Sequence, residues 1–210
     1  MSVEAPFVDG FLAEAADILA ALDRDALEAV ADELAEVRER GGRLFCVGSG
    51  GGAAHASHAV CDFRKLAGIE AYAPSDNAAE LTARVNDDGW ESSYAAWLRG
   101  SRIDARDLLF VFSVGGGDRE RGISANLVAA IDAALEAGAR VVGIVGRDGG
   151  HTAQVANACV VVPVVNPQAV TPHTEGMQSL IAHLLVSHPR VARETAKWEA
   201  TQGQAQGIPA

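Results

Sequence analysis

The fold is decided by Leu44-Phe45-Cys46-Val47-Gly48-Ser49-Gly50-Gly51-Gly52-Ala53-Ala54-His55, in which an apolar run leads through glycines into a helical segment. A strand that turns directly into a helix aims backbone N–H groups at an anion. The turn lacks the Lys-Ser/Thr pair of a Walker loop, and its third glycine falls too early for the Rossmann fingerprint. It therefore predicts a phosphate site unlike those for ATP or NAD, with an ordinary tight turn as the alternative.

Outward from this stretch, short apolar runs alternate with helical segments. Residues 44–47, 108–112, 141–145 and 160–164 read as buried strands, which predicts an α/β fold around a parallel sheet. Glycines follow three of these runs, so a ligand is expected at the carboxyl edge of the sheet. The second glycine loop, 112–126, again joins a strand to a helix, and Ser124 is placed to cap that helix.

Two amphipathic helices are predicted ahead of the first strand, between residues 7 and 40. Asp23 or Asp25 can cap the second helix, and Gly41-Gly42 ends it. Their apolar stripes are Phe11, Leu12, Ala15, Ile18, Leu19 and Leu22, then Leu27, Val30, Leu34 and Val37. Because neither helix has a place on the usual connections of such a sheet, we expect the stripes to bury against each other or another subunit. The predicted organisation is a helical oligomerisation arm (1–42), one α/β domain (43–200) and a loosely ordered tail (201–210).

Composition limits the function. The 210 residues are 49% hydrophobic, and a net charge of -11 argues against a nucleic-acid surface but not against a sugar phosphate held in a cleft. The three cysteines leave an odd number, which is typical of a reducing compartment. No signal peptide or membrane span is evident, so a soluble cytoplasmic protein is expected.

Titratable residues cluster on two helices. His55, His58 and Asp62 have the spacing of one face of the helix after the first glycine loop. Glu175, Gln178 and His183 are the polar members of an otherwise apolar helix. Each histidine taken alone is more often a satisfied or exposed side chain than a ligand.

Three motifs together resemble the phosphoheptose isomerases. They are Gly48 to Ala54, the pair Asn86-Asp87 before an aromatic-containing helix, and Gly146-Arg147-Asp148-Gly149-Gly150. The resemblance implies a SIS-type, flavodoxin-like three-layer α/β fold with a five-stranded parallel sheet, assembled as a homotetramer whose active sites draw on neighbouring subunits. It also implies an aldose–ketose isomerase that converts sedoheptulose 7-phosphate to D-glycero-D-manno-heptose 7-phosphate through an enediol.

The resemblance carries specific roles onto this sequence. Asp62 is the base by position, His183 its acid/base partner, and Glu175 a rival base. The same resemblance implies a Zn²⁺ site of mixed nitrogen and oxygen ligands formed by His58, Asp62, Glu175 and His183. The sequence departs from the family pattern where Asp62 replaces a glutamate, Glu175 a glutamine, and Gly52 a serine.

Substrate contacts follow from the loops and from the resemblance. The expected contacts are Ser49, Gly50, Gly51, Gly52, Asn86, Asp87, Ser113, Val114, Gly115, Gly116, Ser124 and Glu175. Because the second loop keeps only Ser113 and Ser124 of a serine-rich pattern, we expect its backbone N–H groups and Arg119 or Arg121 to take over phosphate binding. Asn86 and Asp87 can equally cap the helix predicted from Trp90 to Leu98.

Three functions remain open at this point. The first is the heptose isomerase, and the second is a SIS isomerase for another phosphosugar. The third is a non-catalytic SIS protein that binds a regulatory partner. Polar side chains set among apolar residues on two helices favour chemistry over a scaffold.

Overall fold

Helices and strands alternate through the part of the chain that the computed structural model describes, residues 6–199 and 201. The strands are β1 (Leu44–Gly48), β2 (Ala71–Tyr72), β3 (Leu108–Ser113), β4 (Arg140–Val145) and β5 (Ala158–Val161). The helices are α1 (Phe7–Ala21), α2 (Arg24–Glu39), α3 (Gly51–Leu66), α4 (Ala78–Asp88), α5 (Ser93–Gly100), α6 (Ala125–Glu136), α7 (Gly150–Val155) and α8 (Val170–Val186).

The five strands form one parallel sheet in the order β2-β1-β3-β4-β5. The flavodoxin-like five-stranded sheet is therefore confirmed. Sequence periodicity missed β2, which is only two residues long and lies at the edge. The strand order reverses between β1 and β3, so the loops that follow these strands diverge and open a crevice at their carboxyl ends.

Both faces of the sheet are covered, which explains why the centres of its long strands are apolar. Leu44 and Cys46 point into one core, shared with α2, α3 and α8. Phe45 and Val47 point into the other, shared with α5 and α6. Side chains alternate across a strand, so a strand buried on both faces has no polar position in its centre.

The two N-terminal helices differ in their burial. Asp23 caps α2 by accepting the N–H groups of Asp25 and Ala26 at 2.9 and 3.1 Å, and Gly41 ends it with a φ of +65°. The second stripe is buried against β3, β4, β5 and α8. The prediction that neither helix has a place on the sheet is therefore wrong for α2. Of the six stripe residues of α1, only Ile18 and Leu22 are buried, whereas Leu12 and Leu19 are exposed.

The last strand differs from its predicted bounds. The last strand spans 158–161 and not 160–164, because Pro163 has no N–H group to continue the ladder. The predicted tail, 201–210, lies outside the described residues apart from residue 201. Within the described ranges, no helix has the length and apolarity needed to cross a membrane.

Candidate active site

A cavity of about 320 Å³ lies at the carboxyl ends of β1, β3 and β4, beside the reversal of strand order. It is lined by Ser49, Gly52, Ser113, Val114, Gly115, Gly117, Asp118, Arg121, Ile123, Ser124, Arg147, Asp148, Gly150 and Thr171. Six of the predicted substrate contacts are among these residues: Ser49, Gly52, Ser113, Val114, Gly115 and Ser124. The sequence therefore located the crevice and about half of its lining.

The first glycine loop brings two backbones into contact. A Cβ atom built on Gly52 would lie 2.4 Å from the carbonyl oxygen of Phe112, and one built on Gly48 would lie 2.3 Å from the Gly52 backbone. Tyr94, on α5, fixes the turn from below by donating its hydroxyl to the Gly48 carbonyl at 2.8 Å. The serine that the family pattern has at position 52 would not fit here without backbone movement.

The second glycine loop packs against the loop that follows β4. A Cβ on Gly116 would lie 1.9 Å from the Gly149 carbonyl oxygen, and one on Gly150 would lie 2.2 Å from the Gly115 carbonyl oxygen. The Gly116 N–H donates to the Ser113 hydroxyl oxygen at 3.0 Å, so this N–H does not point at a ligand as predicted. Gly116 is not a lining residue of the cavity, but its close contact with Gly149 holds the two loops that line it together.

Ser124 lies at the cavity wall in a left-handed conformation, with a φ of +52°. Its hydroxyl makes no capping bond to α6, so the prediction that it caps this helix is wrong. The reason is geometric: a capping residue needs an extended backbone, which directs its oxygen at the helix N–H groups. The Ser124 hydroxyl therefore makes no hydrogen bond to the first turn of α6.

Ser49 is held by a buried amide behind it. The Asn126 side-chain nitrogen donates to the Ser49 hydroxyl oxygen at 3.2 Å, and Asn126 is fully buried. Its amide oxygen has no hydrogen-bond partner among the described residues. This bond orients the Ser49 hydroxyl at the rim of the cavity.

The two arginines predicted to bind phosphate are both paired with carboxylates. Arg119 lies 2.6 Å from Asp132, which also lies 3.2 Å from His151, and Arg119 is not part of the cavity lining. Arg121 does line the cavity, but its guanidinium contacts Asp118 at 2.6 Å. Hydrogen bonds from the backbone and side chain of Arg121 lower the pKa of the Asp118 carboxyl.

A second group of side chains lies on α3 and α8. The Nε2 atom of His58 is 3.1 Å from the Asp62 carboxylate and 3.0 Å from Nε2 of His183, which itself lies 3.4 Å from that carboxylate. Helix α3 supplies the first two because positions four apart share a helix face. His58 and His183 are 56% and 53% exposed, so the cluster opens to the surface of the single chain.

The geometry of this cluster fits a zinc ion. Tetrahedral ligands about 2.0–2.1 Å from Zn²⁺ are about 3.3 Å apart, and the three measured separations of 3.0–3.4 Å bracket that value. Two imidazole nitrogens facing each other at hydrogen-bond distance need a cation or proton between them, since two acceptors repel. Imidazole and carboxylate are also the ligand types that zinc accepts.

Comparison with known proteins identifies the family. A model of the SIS domain matches residues 10–146. The chain belongs to the SIS-domain family. It is 33% identical over 192 residues to the lincomycin biosynthesis protein LmbN of Streptomyces lincolnensis, which covers 86% of this chain and 68% of that protein. It is 32% identical to a phosphoheptose isomerase of Rhodospirillum rubrum, over 75% of this chain and 80% of the relative.

Solved structures agree with the SIS assignment at the level of the fold. A phosphoheptose isomerase from Neisseria gonorrhoeae superposes with a TM-score of 0.74 at 24% identity, covering 85% of this chain and 94% of the other. One from Francisella tularensis gives 0.73 at 22% identity, with the same coverage.

Within this SIS domain, Glu175 is not part of the histidine cluster, although the resemblance implied it as a fourth zinc ligand. Only His58, Asp62 and His183 place ligand atoms within 4.8 Å of one another in the described part of the chain. The Glu175 carboxylate lies instead over Gly51, where an added Cβ would come within 2.5 Å of it. Glu175 therefore lies beside the first glycine loop and apart from the cluster.

Two other predicted groups separate from the cluster. His55 shares the face of α3 that meets α8, as predicted, but its Nδ1 is 3.1 Å from the side-chain oxygen of the fully buried Gln178, whose nitrogen donates to the Ile144 carbonyl, and it is not part of the cluster. Asn86 and Asp87 lie in the last turn of α4, exposed and outside the cavity lining. Since Gly89 ends that helix and Ser92 begins α5, the alternative that they cap the following helix is wrong.

Sequence reasoning missed several residues of the SIS site. Tyr94 and Asn126 hold the first loop from behind, and their positions depend on how α5 and α6 pack, which periodicity does not report. Arg147 and Asp148 line the cavity directly. Their place in the glycine-flanked turn after β4 was the available signal.

Proposed function

We propose that this SIS domain is an aldose–ketose isomerase that converts sedoheptulose 7-phosphate to D-glycero-D-manno-heptose 7-phosphate. Relatives about 30% identical over three quarters of the chain are named phosphoheptose isomerases. The observation that carries the proposal is the pairing of a cavity at the glycine loops with an acid/base cluster on α3, the helix that begins there, and on α8.

The spacing of these two parts suits a phosphosugar. His58 lies six residues after Gly52, which places it roughly 9 Å along α3. Side chains of a helix tilt toward its N-terminus, so His58 and Asp62 lean back toward the loop. A phosphate at the glycine loops would leave the far end of a heptose chain near the cluster.

The proposed chemistry moves a proton between adjacent carbons. A base takes the C1 proton of the ketose and returns it to C2 of the enediol, while a second group exchanges the hydroxyl protons. Asp62 is the base by position, and His183, 3.4 Å from its carboxylate, is the partner. Glu175, over Gly51, is the rival base because it lies closer to the phosphate cavity.

Zinc is part of the proposal as a resident cofactor. His58, Asp62 and His183 would hold it, and a bound zinc ion would polarise the substrate carbonyl. A carboxylate bound to zinc is a weaker base, so zinc binding by Asp62 favours Glu175 for the proton transfer. Comparing the kinetics and zinc content of Asp62→Asn and Glu175→Gln separates these roles.

A homotetramer is also proposed. The first turns of α1 expose Phe7, Val8 and Leu12, and the outer face of α8 exposes Leu180 and Leu184 beside His183. Apolar side chains next to a half-exposed catalytic cluster support assembly that covers both, since proton transfer is favoured where water is excluded. Three free cysteines support a reducing, cytoplasmic location.

A second candidate is the same isomerisation of a different phosphosugar. The contact of Gly52 with the Phe112 carbonyl removes a hydroxyl that the family pattern supplies. A relative at 33% identity is named for lincomycin biosynthesis and not for phosphoheptose. Loop geometry of this kind recognises phosphate and leaves the sugar unspecified.

The deciding experiment is incubation of the purified protein with sedoheptulose 7-phosphate, with and without added Zn²⁺, following aldose formation. Turnover supports the heptose isomerase. Turnover only with other ketose phosphates of five to eight carbons supports the second candidate. No turnover with any of them, at confirmed folding, would exclude the isomerase and leave a non-catalytic binding protein.

A further inference from the structure

The charge of the phosphate cavity depends on Arg147. The charged lining residues of the cavity are Asp118, Arg121, Arg147 and Asp148. Arg121 is matched by Asp118 at 2.6 Å. Arg147, in contrast, makes no ion pair with any residue of the described chain. Without Arg147 the lining side chains would carry net negative charge, in a protein whose net charge is already -11.

The backbone at Arg147 is unusual as well. Its φ is +52°, in the left-handed region that a residue with a Cβ rarely adopts. Glycine would adopt this conformation freely, and glycines are abundant in the same turn, at positions 146, 149 and 150. A non-glycine residue held in such a conformation at a cavity is evidence for a function of its side chain.

The side chain runs over the second glycine loop. The Cδ atom of Arg147 is 3.7 Å from the position of a Cβ on Gly115, which is an ordinary van der Waals contact. Gly115 and Arg147 both line the cavity, so the arginine stem lies against the loop at the cavity wall.

We propose that Arg147 is the cationic phosphate ligand of this site, in place of Arg119 or Arg121. The inference rests on the proposed function, since it names the residue that binds the phosphate of the sugar substrate. A guanidinium presents two parallel N–H donors to phosphate oxygens, which gives both charge and geometry. Asp148 forms no ion pair with Arg147, and its carboxylate accepts the Gly150 N–H at 3.2 Å.

The test compares Arg147→Gly and Arg147→Gln with the wild-type protein. Loss of a charged bidentate contact should raise KM for the sugar phosphate about 10- to 100-fold, with kcat changed less than about 3-fold. Arg147→Gly should at the same time keep or raise Tm, by up to about 4 °C, because glycine relieves the left-handed backbone. Arg147→Lys should fall between, since lysine keeps the charge without the fork.

Arg102 offers a matched control. It is also an exposed arginine with a positive φ, of +54°, but it precedes β3 and so lies toward the opposite edge of the sheet. Arg102→Gly should change Tm in the same direction and leave KM unchanged. Equal KM values for wild type, Arg147→Gly and Arg147→Gln would overturn the inference. An equal increase in KM in the Arg147→Gly and Arg102→Gly proteins would also overturn it.

Failure of this inference can be told apart from failure of the proposed function. Binding of inorganic phosphate is measured by calorimetry on the wild-type and Arg147→Gln proteins, independently of turnover. Weaker phosphate binding by the variant supports Arg147 even if no heptose is turned over. Equal phosphate affinity, or no phosphate binding by the wild type, contradicts it even if the isomerase is active.

Discussion

The two halves of the candidate site are built from different parts of the chain. The phosphate half is backbone: glycines at positions 48, 52, 116 and 150 let three loops touch at distances where no Cβ fits. The chemical half is side chain: His58, Asp62 and His183 project from α3 and α8 and remain partly exposed. Backbone geometry depends on the fold, whereas the cluster depends on three residue identities.

This difference predicts opposite responses to substitution. Changes in the backbone half should cost stability, because a shift there separates packed loops. Changes in the cluster should cost activity and leave stability nearly intact, because exposed polar side chains contribute little to folding. Four substitutions, from the largest expected effect to the smallest, measure how well this separation holds.

The largest effect is expected for Asp62→Asn. Removing the carboxylate at the centre of the cluster should lower kcat about 10²- to 10⁴-fold, the usual contribution of a general base, and reduce bound zinc. Its side chain is only 20% exposed, but within the described residues its ion-pair partners are the two histidines, so Tm should move by less than about 4 °C. Turnover assays, metal analysis and thermal melts of one preparation test this.

The control for this variant is Asp25→Asn, in the exposed first turn of α2, which should leave kcat and zinc content unchanged. Wild-type activity in both Asp62→Asn and Glu175→Gln would exclude both carboxylates as the base. A large loss of stability in Asp62→Asn would mean that the cluster also supports the fold, contrary to the comparison.

The next largest effect is expected for Gly52→Ala. The new methyl would lie 2.4 Å from the Phe112 carbonyl, and neither backbone can move without disturbing β3 or α3. The free energy of unfolding should fall by about 3 kcal/mol, which lowers Tm by about 6–12 °C. Gly10→Ala, in α1 with open space around it, should instead raise stability by about 0.5–1 kcal/mol. Similar melts for the two variants would show that the loop tolerates side chains.

A smaller effect, on activity and not on stability, is expected one residue earlier, at Gly51. The nearest atoms to a methyl there are at the end of the Glu175 side chain, at 2.5 Å, and that carboxylate can swing away. Gly51→Ala should therefore lower kcat about 10-fold by moving Glu175, with less than about 1 kcal/mol lost in stability. Gly176→Ala, beside Glu175 in sequence but with nothing near its Cβ position, should keep full activity. Unchanged kcat in Gly51→Ala would remove Glu175 from the chemistry.

The sequence was sufficient for the parts of this molecule that depend on local pattern. The apolar run at 44–47 and the glycines after it predicted β1, the turn and the crevice, because a strand buried on both faces has an unmistakable composition. The pair His58 and Asp62 was predicted to share a helix face, and the structure places both in one cluster. Local spacing determines both results.

Features that depend on packing between distant segments were not predictable in the same way. The capping role expected for Ser124 failed because the left-handed backbone of that residue is imposed by the turn before α6. Arg119 and Arg121 resembled phosphate ligands in sequence, yet each has a carboxylate nearby that only the folded loop brings close. The position of Glu175 over Gly51 likewise depends on how α8 crosses α3.

The smallest effect, on stability, is expected at Asp132, whose contacts with Arg119 and His151 lie outside the cavity lining. Hydrogen bonds from Arg119 and His151 lower the pKa of Asp132 on α6 even though burial acts to raise it. A carboxyl whose pKa is lowered in the folded protein stabilises the fold at pH values above the ordinary pKa of that carboxyl. This contribution is lost as the pH falls below about 4. Asp132→Asn should therefore cost less than about 1 kcal/mol at neutral pH, and the difference from wild type should shrink below pH 4.

Chemical unfolding at pH 7 and pH 3.5 measures this difference. Glu136→Gln, on the same helix and paired with Arg99 in an exposed contact, is the matched control and should show a smaller difference at pH 7. A loss of 3 kcal/mol or more in Asp132→Asn, or a raised KM for the sugar phosphate, would mean that the phosphate cavity depends on side-chain bracing. The division between a backbone half and a side-chain half would then hold for the glycine contacts alone, and the loop carrying Arg119 would belong to the binding site after all.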